Sequence, residues 1–136
     1  MLSKHCQFVR TASTIASSSV DELARSSVRI GRELAHPDAR LALGRVHPFA
    51  ERLHHFLTYI ALAEHMLGST DAHAGLSLGG YRIRLFRIVD DIALAFNQGE
   101  VKAASVLFGR RLAPSLLDYR SIADTVTQGL WSERAA

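Results

Sequence analysis

The stretch PFAERLHHFLTYIALAEHML, residues 48–67, separates its apolar and its titratable side chains onto opposite sides of a helix. Phe49, Leu53, Phe56, Ile60, Ala63 and Leu67 recur at alternating four- and three-residue steps, the seam spacing of a helix packed against other helices. At about 100° of rotation per residue, Glu51, His54, Thr58, Glu64 and His65 fall opposite that seam, and His47 continues the stripe if the helix reaches back so far. One side of this segment is core. The other faces water or a neighbouring molecule.

Upstream, Ser19 and Glu22 form an S-x-x-E capping box, which predicts a helix over 20–35 with Val20, Leu23, Ser27, Ile30 and Leu34 on one face. Residues 1–19 then read as a flexible or loosely docked arm, and 20–136 as a single domain. His36-Pro37-Asp38 breaks the pattern, and Pro37 suits the first turn of a short helix ending near Gly44. Pro48 either opens a new helix or kinks a continuous one, and a new helix over 48–67 is the preferred expectation. Gly68 is its natural left-handed stop.

Downstream, three glycines between His73 and Gly80 predict a loop or frayed turn, since each costs about 1 kcal/mol relative to alanine inside a helix. A helix over 81–96 follows, with Tyr81, Leu85, Ile88, Ile92 and Ala95 on its main face. Ile83, Phe86 and Leu94 project elsewhere, so the helix carries a second apolar face that calls for a partner. Asn97-Gln98-Gly99 ends it. A short helix over 100–108 stops before Gly109, and Pro114 starts a last helix to Trp131. No run alternates with period two. The predicted fold is all-α: an antiparallel helical bundle of four main helices plus one or two short ones.

Composition narrows the function classes. A chain of 136 residues with 48% hydrophobic content buries a real core without metal or disulfide staples. The lone cysteine, Cys6, forbids an intrachain disulfide and gives no sign of an oxidising compartment, so a cytoplasmic protein is expected. The longest apolar run falls well short of the roughly 20 residues that span a membrane. Net charge is +3, and of the 16 basic residues only Lys4 and Lys102 are lysine, too weak a bias to argue for nucleic acid alone.

Three constellations compete for the function. Glu51-x-x-His54 has the spacing of carboxylate-bridged di-metal bundles, which makes His47, Glu51, His54 and His65 candidate metal ligands in a hydrolytic or metal-binding bundle. The Glu51/His54 motif lies away from the seam, so a solvated polar face is the preferred account. Arg82, Arg84, Arg87, Arg110 and Arg111 are candidate anion contacts, although Arg87 is placed to pair with Asp90 or Asp91 on its own helix and specific nucleic-acid readers are more densely basic. Ile83, Phe86, Leu94 and Trp131 are the candidate partner-binding residues. No nucleophile and base are singled out, no phosphate loop follows a strand, and no cofactor is implied. The expectation is therefore a non-enzymatic bundle, a regulator, adaptor or small chaperone, that binds another protein or itself, with a homodimer favoured.

Overall fold

The structure, a computed structural model, describes the backbone of residues 4–68 and 72–124 and the side chains of residues 16–66 and 76–124. Helix α1 spans Lys4–Leu34, α2 Arg40–Gly68 and α3 Ala72–Asn97. The fourth rod is composite: α4 over Val101–Val106, a π-helix over Leu107–Leu112, and α5 over Ala113–Leu117, with residues 119–124 helical after a turn at Asp118. No strand occurs among the described residues. The chain is an all-α bundle, as its periodicity predicts. Trp131 lies outside the described residues.

The seam on α2 is as expected, with Phe49, Leu53, Phe56, Ile60 and Ala63 all buried. It also extends back through Val46 to Ala42, and this overrides the predicted break at Pro48. The hydrogen bond that Pro48 cannot make would go to the Gly44 carbonyl four residues earlier, and both residues lie on the exposed side of the helix. Continuing the seam outweighs a lost bond that water can replace. The short helix expected over 37–43 is instead the first turn of α2, where Asp38 Oδ1 accepts the Arg40 backbone N–H at 3.2 Å.

Helix α1 begins at Lys4, not at Val20, so the capping box at Ser19 is not a helix start. Its buried face runs Ala16, Val20, Leu23, Ser27, Ile30, Leu34, which carries the predicted stripe one turn further toward the N-terminus. Glu22, freed from capping, reaches across to α2 and accepts from Arg52 Nη1 at 2.8 Å. Arg45 pairs with Glu33 further along at 3.0 Å, so the two helices run antiparallel.

The glycine-rich segment is also helical, since α3 starts at Ala72. A Cβ placed on Gly79 would lie 2.7 Å from Glu64 Oε1, so the missing side chain lets the Glu64 carboxylate lie against the α3 backbone. Burial along the α2–α3 seam offsets the poor helix propensity. Helix α3 ends at Asn97 as predicted, and Gly99 takes the left-handed conformation at φ 71°, whereas Gly68 is still helical as the last residue of α2 and the residues directly after it lie outside the described ones.

The expected gap between Gly109 and Pro114 is filled by the π-helix. Proline lacks an N–H and crowds the carbonyl four residues back, and the wider register immediately before Pro114 accommodates it, with the Ala113 N–H bonded to the Phe108 carbonyl. This rod crosses α1 at small residues. The buried Ser27 hydroxyl donates to the Phe108 carbonyl at 2.6 Å, and the Ser105 hydroxyl donates to the Gly31 carbonyl at 2.6 Å. Each serine stands four residues before a glycine, and a Cβ on Gly31 would meet the Ser105 carbonyl at 2.9 Å and the Gly109 nitrogen at 3.1 Å. The two backbones therefore touch. An aromatic cluster of Phe56, Tyr81 and Tyr119 fills the centre, where the Tyr81 hydroxyl donates to the Leu116 carbonyl at 2.9 Å. The Tyr119 hydroxyl lies 3.4 Å from that of Tyr59.

Candidate interaction surface

Helix α3 has two apolar sides and the fold covers one of them. Leu78, Tyr81, Leu85, Ile88, Ile92 and Ala95 are buried. Leu76, Ile83, Phe86 and Leu94 remain 76, 46, 44 and 54% exposed. Taking Ile83 as the origin and advancing about 100° per residue, Leu76 and Leu94 each fall within about 20° of it and Phe86 within about 60°, so the four share one outward stripe. Its centre lies opposite the buried Ile92. Single exposed leucines are ordinary, but aligned ones on a helix turned away from the core form a patch. Sequence reasoning found Ile83, Phe86 and Leu94 and missed Leu76, which fell in the predicted loop; its seven-residue step to Ile83 was the available signal.

Three charges on this face are uncommitted among the described residues. The expected intrahelical bridge from Arg87 to Asp90 or Asp91 is not formed, and these three residues have no ion-pair partner among the described residues. An exposed pair at this spacing is worth only about 0.3–0.5 kcal/mol, too little to hold two long side chains in one geometry. Arg82, by contrast, is tied to Glu64, with Nε 2.8 Å from Oε2, and that hydrogen bond raises the guanidinium pKa further above its ordinary value. Arg82 is thus withdrawn from the candidate anion contacts, while Arg84, Arg87, Arg110 and Arg111 are exposed.

On α2 the imidazole flank looks outward. His47, Glu51, His54, Thr58 and His65 are exposed, and His47 Nε2 lies 3.0 Å from Glu51 Oε1. Glu64 departs from the predicted stripe, because its position on the flank of α2 turns it toward Arg82 and Gly79 on α3. Among the described residues no three His, Cys, Asp or Glu side chains gather into a group able to hold a metal ion, so His54 and His65 do not join His47 and Glu51 in one site.

Concavities flank α1 among the described residues. A cleft of about 380 Å³ toward α2 is floored by Ala16, Leu23 and Phe56, and its arginine, Arg52, is bonded to Glu22 and Ser26. A groove of about 920 Å³ between α1 and the π-helix with α5 has Val28, Ala113 and Leu117 on its floor and Arg25, Arg29, Arg32 and Arg120 on its rim. Arg29 pairs with Glu33 and Arg120 with Asp21, which leaves Arg25 and Arg32 without an acidic partner among the described residues.

The chain was compared with protein-family models, with curated proteins and with solved structures, and none matches. No helix among the described residues is long and apolar enough to cross a membrane.

Proposed function

We propose that this protein is a non-enzymatic helical bundle of the cytoplasm, a regulator, adaptor or small chaperone, that works by docking another protein or a second copy of itself on the outer face of α3. The observation that supports this reading is the alignment of Leu76, Ile83, Phe86 and Leu94 on the side of α3 away from its core residues. Aligned apolar side chains left in water are the usual mark of a contact surface. A photo-reactive residue in place of Phe86 tests it. In the cell that makes the protein, irradiation is expected to give a covalent protein adduct from this position and none from a control at the exposed Thr58 on α2. Equal yields at both positions, or no adduct at Phe86, would remove the reading.

The basic groove beside α1 supports a second reading, in which Arg25 and Arg32 meet the phosphates of a nucleic acid. Binding would then weaken steeply with added salt, because each neutralised phosphate releases condensed counterions. Failure of DNA and RNA to retard the protein at low salt would end that reading. The metal reading has less support, since it requires ligands from more than the His47 and Glu51 pair to converge.

A further inference from the structure

Resting on the reading that the outer face of α3 docks a protein, we infer that the occupant is a second copy of this chain, laid antiparallel across the same face. In this arrangement Ile83 packs against Leu94 of the second copy, and Arg87 lies opposite Asp90 and Asp91 of the second copy.

The argument is one of self-complementarity. A two-fold axis relating two antiparallel helices brings together residues equally far on either side of a single point. Ile83 and Leu94 are centred midway between positions 88 and 89, and so are Arg87 and Asp90. One axis therefore places apolar on apolar and cation on anion, and it does so twice, as a closed symmetric interface requires. Arg87 and Asp90 lie about 30° to either side of the direction midway between Ile83 and Leu94, and Asp91, further round on the Arg87 side, brings a second carboxylate within reach of the same guanidinium.

Two further observations point the same way. Arg87, Asp90 and Asp91 make no ion pair among the described residues, so their charges are available to a partner. A parallel two-fold pairing would set Arg87 on Arg87 and Asp90 on Asp90, and like charges facing across an interface oppose it. The antiparallel register satisfies the Ile83–Leu94 pair and the charged residues together, and the parallel one leaves the charges opposed.

Charge reversal tests the register. The variant Arg87→Glu sets its glutamate against the two carboxylates of its own copy, and the variant Asp90→Lys with Asp91→Lys sets two lysines against Arg87. Each is expected to lose the wild-type dimer, with a dissociation constant raised at least about tenfold. Mixed in equal amounts, the two variants restore opposite charges at every contact. The mixture is expected to scatter light at twice the 14.9 kDa chain mass under conditions where each variant alone is monomeric. Thermal unfolding equal to that of the wild type, with all three proteins measured at a concentration low enough for the wild type to be monomeric, shows that the charges act at the interface and not on the fold.

A wild-type protein that stays monomeric, a dimer indifferent to both variants, or a mixture that remains monomeric would overturn the assignment. The photo-reactive probe at Phe86 separates this failure from that of the broader reading. An adduct of twice the chain mass agrees with a second copy. One of any other mass, with a monomeric wild type, sinks the second copy and leaves the docking face standing. No adduct sinks both.

Discussion

Replacing Gly31 by alanine should destabilise this protein, although the same change at the exposed Gly44 should help it. Glycine inside a helix is about 1 kcal/mol worse than alanine, so Gly31→Ala begins with a gain of that size. The new methyl group would stand 2.9 Å from the Ser105 carbonyl, 3.1 Å from the Gly109 nitrogen and 3.4 Å from the Gly109 Cα. All three are backbone atoms of the opposing rod, and none can swing aside as a side chain does. Relief requires α1 and the fourth rod to move apart, which costs about 1–3 kcal/mol as overpacking. It also stretches the bonds from Ser27 to Phe108 and from Ser105 to Gly31, each worth about 0.5–1.5 kcal/mol. With both bonds lost the net effect is a loss of about 1–5 kcal/mol, and it is smaller where they only stretch. Gly44, exposed and with open space where a Cβ would go, is the control, and Gly44→Ala should stabilise by up to about 1 kcal/mol. Urea denaturation followed by circular dichroism measures both. The midpoint should fall for Gly31→Ala and rise for Gly44→Ala, with the slope unchanged in each. A Gly31→Ala protein as stable as the wild type would refute backbone contact at this crossing.

Gly79→Ala should be near neutral despite its closer approach of 2.7 Å, because the obstructing atom is the end of the Glu64 side chain, and loss of a half-exposed Arg82 pair is set against the gain in helix propensity. A loss above about 2 kcal/mol in the same urea assay would show that the pair matters more than its exposure allows. Burial, with a smaller contribution from the neighbouring Tyr119, pushes the Tyr81 phenol above its ordinary range. Its proton is thus held more tightly folded than unfolded. The stabilisation is complete below the unfolded value of about 10 and is lost as pH rises beyond it toward the higher folded value. Tyr81→Phe should cost about 0.5–1.5 kcal/mol at neutral pH through the bond to Leu116 and should flatten the alkaline decline. Tyrosinate absorbance alongside circular dichroism checks this, and ionisation of all three tyrosines near pH 10 with the helices intact would contradict it.

Periodicity made the helices legible, but the places where they end or continue depended on partners. The seam from Phe49 to Ala63 and the face from Val20 to Leu34 were readable because burial repeats with the helical turn, and every member of both is buried. Pro48, Gly79 and Gly109 looked like breaks because their local preferences disfavour helix. Each is carried through by something distant in sequence: the core meeting Ala42, the Glu64 carboxylate, the backbone of α1. The capping box at Ser19 failed for the same reason, since Glu22 has a better partner in Arg52. In the candidate surface, Ile83, Phe86 and Leu94 could be found as residues off the main face, whereas Leu76 was hidden by the glycines around it. The loss of Arg82 to Glu64 was not legible, because an eighteen-residue separation along the chain carries no periodic signal.

The two sides of α3 divide the demands on its sequence. Toward the core, Tyr81, Leu85 and Ile88 are fixed by close packing, and truncating a residue of this kind costs several kcal/mol because the surrounding side chains collapse only partly into the space left. On the outer side the fold asks only for helix formers, and lysine or glutamate at positions 76, 83 and 94 would serve the helix as well as leucine or isoleucine does. Nothing in the packing of the described residues requires leucine at Leu76 or Leu94. Polar replacements there should change folding stability by no more than about 0.5 kcal/mol, as at other surface positions. The apolar stripe and the unpaired charges within it are therefore separable from the fold, and an account of them has to come from what the face touches.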